Sequence, residues 1–230
     1  MNLNNWRRWA YKINMIGCVQ FIILTFLGMV FYKGGTYSDP STTGYSFFLN
    51  YFSDIGRTIA LSGESNLVAF VFFSLAFFLV GIMLMPSYIA FPNFFNNTIV
   101  ARKISKVGSF IGMFSAFCFA GIIFAPSNIY IDAHGFFVYV GFLAGFFSSL
   151  LYSIVIFLNK SYPKRYGYNL LILTVILAFY LMLLFAKPMN QSTVGLLIQV
   201  TGQKIIIYSF IVCLFIHSYG AWKAETKNKT

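Results

Sequence analysis

Six stretches of the chain stay apolar for about eighteen residues or more, near 13–32, 66–86, 107–125, 134–158, 168–187 and 203–222. Each is long enough to cross a hydrocarbon layer roughly 30 Å thick as an α-helix. Between them the sequence turns polar, basic or rich in Gly, Pro and Asn. The pattern predicts an all-α, polytopic integral membrane protein: six transmembrane helices in a single domain over 1–230. The first run is too long for the apolar core of a secretory leader, and GMVFYKGG after it lacks a small-residue cleavage site. It is therefore read as a retained span.

One connection is long. Its first part, KGGTYSDPSTTG (33–44), reads as turns from its Gly, Pro, Ser and Thr. From Tyr45 to Leu61, Phe48, Phe52, Ile55 and Ile59 recur at helical spacing, while Asn50, Ser53, Asp54 and Arg57 fall on another face. This predicts a short amphipathic helix lying over the outer mouth of the bundle. Gly56 weakens such a helix by about 1 kcal/mol relative to alanine, so a break at Asp54-Ile55-Gly56 is the competing expectation.

Two spans carry rows of small residues at four-residue spacing: Gly108, Gly112, Ala116 and Ala120 in the third, Gly141, Gly145, Ser149 and Ser153 in the fourth. Small residues let helix backbones approach closely in lipid, so these two spans are predicted to pack together. On a regular helix His134 then falls on or near the protein-facing side.

Composition supports the membrane assignment, with 59% hydrophobic and 9% charged residues. The net charge of +11 would suit a nucleic-acid binder, but its distribution speaks for topology instead. Arg7, Arg8 and Lys12, then Arg102, Lys103 and Lys106, then Lys160, Lys164 and Arg165, and finally Lys223, Lys227 and Lys229 fall on one side of the membrane. Glu225 is the one acid with them. The other side has Lys33, Arg57, Lys187 and Lys204 balanced by Asp39, Asp54, Glu64 and Asp132. Retention of basic residues inside predicts cytoplasmic termini in a plasma (inner) membrane. The surplus favours anionic lipid headgroups; membrane lipids are the expected partners, no nucleic acid is, and protein partners are left open.

The outer ends of the spans gather Ser53, Asp54, Arg57, Glu64, Asp132 and His134. Ionisable groups near membrane depth are costly and tend to be functional or paired. His134, Asp54, Asp132 and Ser53 are candidate catalytic residues, with a carboxylate orienting His134 as a general base. Arg57, Asn50 and Glu64 are candidate ligand-binding residues, Arg57 suiting a phosphate or carboxylate. Structural roles compete for each: Asp54 and Arg57 neutralising one another, Ser53 and Asp132 capping helices, His134 bonding a loop carbonyl.

Two histidines exclude a three-histidine zinc site, and His217 lies roughly 20 Å from His134 along the membrane normal. His217 with Cys213 at i, i+4 supplies two ligands, too few for a strong site; His217 is read as a polar packing contact, and Cys18, Cys118 and Cys213 as buried thiols. No Walker, GxGxxG, GxSxG, HExxH or EF-hand pattern occurs, so the usual ATPase, dinucleotide, esterase-elbow, zincin and calcium readings lack support; no metal ligands are assigned, a site of one histidine with carboxylates stays open, and the cofactor is left open. The N-x-S/T matches at Asn96, Asn190 and Asn228 are given no role.

YSFFLNYFSDIG (45–56) and AGIIFAPSNIYIDAHGFF (120–137) resemble two signatures of the domain of unknown function 998 membrane proteins, in the same order within six spans. Ile55 stands where leucine is common there, and Ala125 precedes the proline. That family is distantly similar to the Frag1/DRAM/Sfk1 group, which is linked to membrane lipid handling. The resemblance implies lipid work on the outer face. The expected function is recognition of a lipid or amphiphile headgroup, with hydrolase or transferase chemistry as an extension. A membrane scaffold or regulator is the alternative, and a small-solute transporter a further one.

Overall fold

The computed structural model describes residues 5–96, 98–185 and 192–227. Lys187, Lys229, Asn190 and Asn228, and the last two residues of the expected fifth span, lie outside them. Among the described residues, six helices are long and apolar enough to cross a membrane: α1 (Trp6–Val30), α2 (Leu67–Ala90), α3 (Ile99–Gly121), α4 (Ile131–Leu158), α5 (Lys164–Phe185) and α6 (Thr193–Lys227). The protein is an all-α, multi-pass membrane protein.

Each helix packs on its neighbours in sequence, and α6 packs back on α1, so the bundle closes as a ring. Phe26, Phe110, Phe117 and Phe179 are exposed around its outside, as side chains facing lipid should be. Phe21, Phe73, Phe77, Phe119 and Phe142 turn inward; Phe21 meets Phe77 edge to face at 5.0 Å and Phe119 meets Phe142 at 4.9 Å.

The small-residue rows of α3 and α4 do meet. A β-carbon on Gly108 would strike the Tyr152 ring, and one on Gly141 would press on Phe119. The approach lets Ser115 donate to the Gly141 carbonyl at 2.7 Å and Ser148 to the Gly108 carbonyl at 2.8 Å. Interhelical bonds of this kind contribute about 0.6 kcal/mol each in a bilayer.

At the end carrying both termini, Arg7 Nη1 and Glu225 Oε1 form an ion pair at 3.2 Å between α1 and α6. Two turns deeper, the buried Asn14 side chain donates to Ser87 at 3.0 Å and Ser218 at 2.6 Å, joining α1, α2 and α6. His217 packs between rings, 4.3 Å from the Phe91 centroid and stacked on Tyr152 at 5.6 Å.

The opposite end is covered by the long connection between α1 and α2. The helix expected over 45–61 is present there as a five-residue 3-10 helix, Phe52–Gly56, with turns before it and extended chain after it. Asparagine amides replace the helical ladder as partners of the backbone. Asn50 accepts from Ser46 N at 2.8 Å and donates to the Gly35 carbonyl at 2.8 Å. Asn66 donates to the carbonyls of Ile55 and Arg57 at 3.2 and 2.9 Å. Asn128, from the α3–α4 connection, accepts from Thr58 N at 3.0 Å and donates to Thr58 Oγ1 at 2.9 Å. A loop buried this way must find a partner for each backbone group, and these side chains supply many of them. Gly35, at φ +83, lies against the backbone of Leu61 and Ser62, leaving no room for a β-carbon.

The expected two-faced division of this segment changes with its conformation. Phe52 and Ile55 are buried as expected, and so are Asn50 and Asp54 from the other face, whereas Phe48 and Ile59 are exposed.

Candidate functional site

Beneath the long connection, inside the ring, lies a vestibule of about 440 Å³. Tyr37, Tyr51 and Ser53 come to it from the connection, Ser127 from the α3–α4 turn, His134 and Tyr139 from α4, Tyr180 from α5, and Gln199 and Gln203 from α6. A narrower apolar shaft of about 60 Å³ lies deeper in the bundle, walled by Phe21, Phe73, Phe77, Phe119 and Phe142, with Leu84 and Leu214 near its deep end. Ser53, His134, Val138 and Gln203 line both spaces and so form the wall between them.

The shaft's proportions follow from the helices. Gln203 and Leu214 lie on α6, and the eleven-residue step between them spans about 16 Å. Its volume holds roughly four to six water-sized spheres, which over that depth is a single file. Leu214 stands one turn above Ser218, and Leu84 three residues before Ser87, so the Asn14–Ser87–Ser218 junction lies just beyond the deep end.

His134 is buried at 7% exposure in the first turns of α4. Its Nδ1 lies 2.9 Å from the Ala125 carbonyl. A carbonyl can only accept, so Nδ1 carries the proton and Nε2 of the neutral ring is an acceptor. The carboxylate expected to orient this ring is therefore replaced by a loop carbonyl. Asp132 is exposed in the first turn of α4, where its charge complements the helix dipole.

Asp54 has a different task. Its Oδ2 accepts from Tyr51 N at 2.7 Å, and its Oδ1 lies 3.5 Å from the Tyr37 hydroxyl. The carboxylate thus stands behind two vestibule tyrosines, whose rings meet edge to face at 5.7 Å, without lining the cavity itself. Burial pushes its pKa up to about 6, against the opposing pull of the Tyr51 N–H, Arg57 and Lys204.

The remaining sequence candidates also lie outside the cavity lining. Asn50 has 0% exposure and both ends of its amide engaged by the loop. Arg57 donates through Nε to the Ile59 carbonyl at 3.1 Å and makes no ion pair with Asp54. Glu64 is exposed beyond the loop's tip, where its carbonyl accepts from Ala60 N. Of the seven candidates, the structure brings Ser53 and His134 together at the cavity and distributes the other five around it.

Sequence reading missed Gln199, Gln203, Tyr51, Tyr180 and Ser127. Gln203 Oε1 accepts from Phe52 N at 2.7 Å, and Gln199 Oε1 accepts from the Tyr51 hydroxyl at 2.6 Å. Both glutamines tie α6 to the loop and keep an amide NH₂ over. Their i, i+4 spacing on the outer end of the sixth span was the available signal. Gln199 falls outside the apolar run and Gln203 at its first position, which hides that α6 begins ten residues earlier.

Compared with protein-family models, curated proteins and solved structures, the chain shows no significant match, and its functional reading rests on its own residues.

Proposed function

We propose that this protein binds a membrane amphiphile, holding the polar group in the vestibule and an apolar chain in the shaft. The observation that carries it is the adjacency of the two spaces, which share Ser53, His134, Val138 and Gln203 as wall. A chamber bearing polar side chains beside a wholly apolar space matches the division of an amphiphile into head and tail. The shaft's depth of about 16 Å is also close to half the roughly 30 Å hydrocarbon thickness, the depth one leaflet's chains fill. The basic residues near the termini favour an orientation with the vestibule at the outer face of the plasma membrane.

The likeness of 45–56 and 120–137 to membrane proteins with distant lipid-handling relatives supports the same class by analogy. A scaffold or regulator would act through a membrane-embedded surface, and the small-residue rows of α3 and α4 offer none because they are occupied inside the bundle. Hydrolysis is a second reading, favoured by an unprotonated His134 Nε2 and the Ser53 hydroxyl at the same constriction.

Native mass spectrometry of the protein released from membranes tests the binding proposal. A co-purifying amphiphile is expected in wild type and lost in Ala116→Phe, which fills the shaft. Retention undiminished in a folded Ala116→Phe protein would overturn it. Release of fatty acid from an added acyl ester, abolished in His134→Gln, would establish the hydrolytic reading.

A further inference from the structure

The polar groups at the vestibule define what kind of head it suits. Resting on the amphiphile reading, we infer that the ligand is a single-chain amphiphile with an uncharged, hydroxyl-rich headgroup, of the monoacylglycerol or simple glycolipid class.

Three observations combine. Among the described residues, no Lys, Arg, Asp or Glu lines the vestibule or the shaft. An anionic head would find no counter-charge, and a cationic one would meet Asp54 only through Tyr37 and Tyr51, with Asp54's oxygens already engaged. Bringing an ion out of water without a partner is heavily disfavoured, so a charged head is selected against.

The second observation is unused hydrogen-bonding capacity. Ser53 makes no side-chain bond among the described residues, His134 Nε2 offers a lone pair, and the NH₂ groups of Gln199 and Gln203 are donors left over from their bonds to the loop. This mixture of neutral donors and acceptors matches hydroxyls, each of which donates once and accepts twice. Tyr37, Tyr51, Tyr139 and Tyr180 add ring surface and hydroxyls around the same space.

The third is shape. A space of about 60 Å³, smaller than the roughly 150 Å³ that holds one benzene, takes one hydrocarbon chain only as the phenylalanine side chains around it move, and has no room for a second. Diacyl lipids are thereby rejected unless one chain stays outside.

The test uses the full chain in phosphatidylcholine nanodiscs, offered 1-monooleoylglycerol, oleate, oleoyl lysophosphatidylcholine or dioleoylglycerol, with retention read by native mass spectrometry. Retention of 1-monooleoylglycerol at least about tenfold above the other three is expected, the scale that an unpaired buried charge or polar group imposes. Ser53→Ala, which breaks no side-chain bond among the described residues, should lower that retention several-fold without moving the melting temperature. Equal retention of oleate or lysophosphatidylcholine would overturn the headgroup inference while leaving the amphiphile reading intact. Equal retention of dioleoylglycerol would overturn the single-chain inference. If wild type retains none of the four, or if retention survives shaft-filling by Ala116→Phe, or by Val138→Phe should the first fail to assemble, the amphiphile reading itself falls.

Discussion

Lys204, in the wall of α6, donates its ammonium to the carbonyl of Asn50 at 2.5 Å, across 154 positions of sequence. The side chain is 1% exposed, and its nitrogen lies 5.4 Å from the Tyr45 ring centroid and 5.1 Å from that of Phe47. A lysine that sequence placed simply on the outer side is thus the pin that holds the long connection against the bundle. Hydrogen bonds to charged groups contribute about 1.5–3 kcal/mol, and ring contacts add to this.

Lys204→Met should accordingly destabilise the covered end by about 2 kcal/mol. A lowered melting temperature in detergent and faster amide exchange over residues 45–56 are the expected results. Unchanged exchange there would show that the loop is held without this bond.

Asp54 gives the covered end a pH dependence. Its folded pKa, raised by burial to about 6 from 3.8, means that the folded state binds this proton more tightly than the unfolded chain. The corresponding stability is fully present below 3.8, falls as pH rises to about 6 and is absent above. The scale is on the order of 3 kcal/mol. Asp54→Asn retains an acceptor for Tyr51 N and removes the charge. The melting temperature of wild type minus that of the variant should therefore decrease between pH 4 and pH 7; a pH-independent difference would contradict this.

Placement of the spans was legible because each apolar run is long enough to cross a bilayer, and five of the six helices start three to ten residues before the run, as with Trp6 to Lys12 ahead of the first. The α3–α4 contact was legible from its small residues. The covered end was not. Alternation of Phe48, Phe52, Ile55 and Ile59 fits a helix, yet Asn50, Asn66 and Asn128 satisfy the backbone from three separate segments, and no local pattern records such long-range bonds. The candidate site was half legible for the same reason. His134 followed from its helical register with Gly141 and Gly145. The glutamines that complete the vestibule acquire their positions from contacts with Tyr51 and Phe52.

Close packing between α3 and α4 sets a further expectation. A β-carbon on Gly112 would overlap the Tyr88 ring and approach Ser148 Oγ to 2.7 Å. Gly112→Leu should cost more than about 3 kcal/mol, beyond the usual range for overpacking, because ring and backbone must both yield. Poor folding yield, with Gly135→Ala as a comparison at a helical glycine where a β-carbon meets only ordinary contacts, is the measurement; near-normal yield of both would argue against the close approach.

Arg7 and Glu225 offer a double-mutant cycle. Glu225 is 4% exposed but Arg7's side chain is 33% exposed, so water screens the pair in part. Arg7→Ala is expected to destabilise by about 1–2 kcal/mol by leaving a buried carboxylate behind, and Arg7→Ala with Glu225→Gln to recover most of that loss. Strict additivity in thermal unfolding would mean that the two charges do not interact.

The Asn14 junction has a bearing on biogenesis. Its three members come from the first, second and sixth spans, so the Ser218 bond cannot form until the last of these helices has left the translocon. Until then the Asn14 amide sits in the membrane with part of its hydrogen-bonding capacity unmet, a standing polar flaw that only the arrival of α6 repairs. The same residue that ties the ring together thereby leaves any chain lacking α6 with an amide hydrogen that has lost its Ser218 partner.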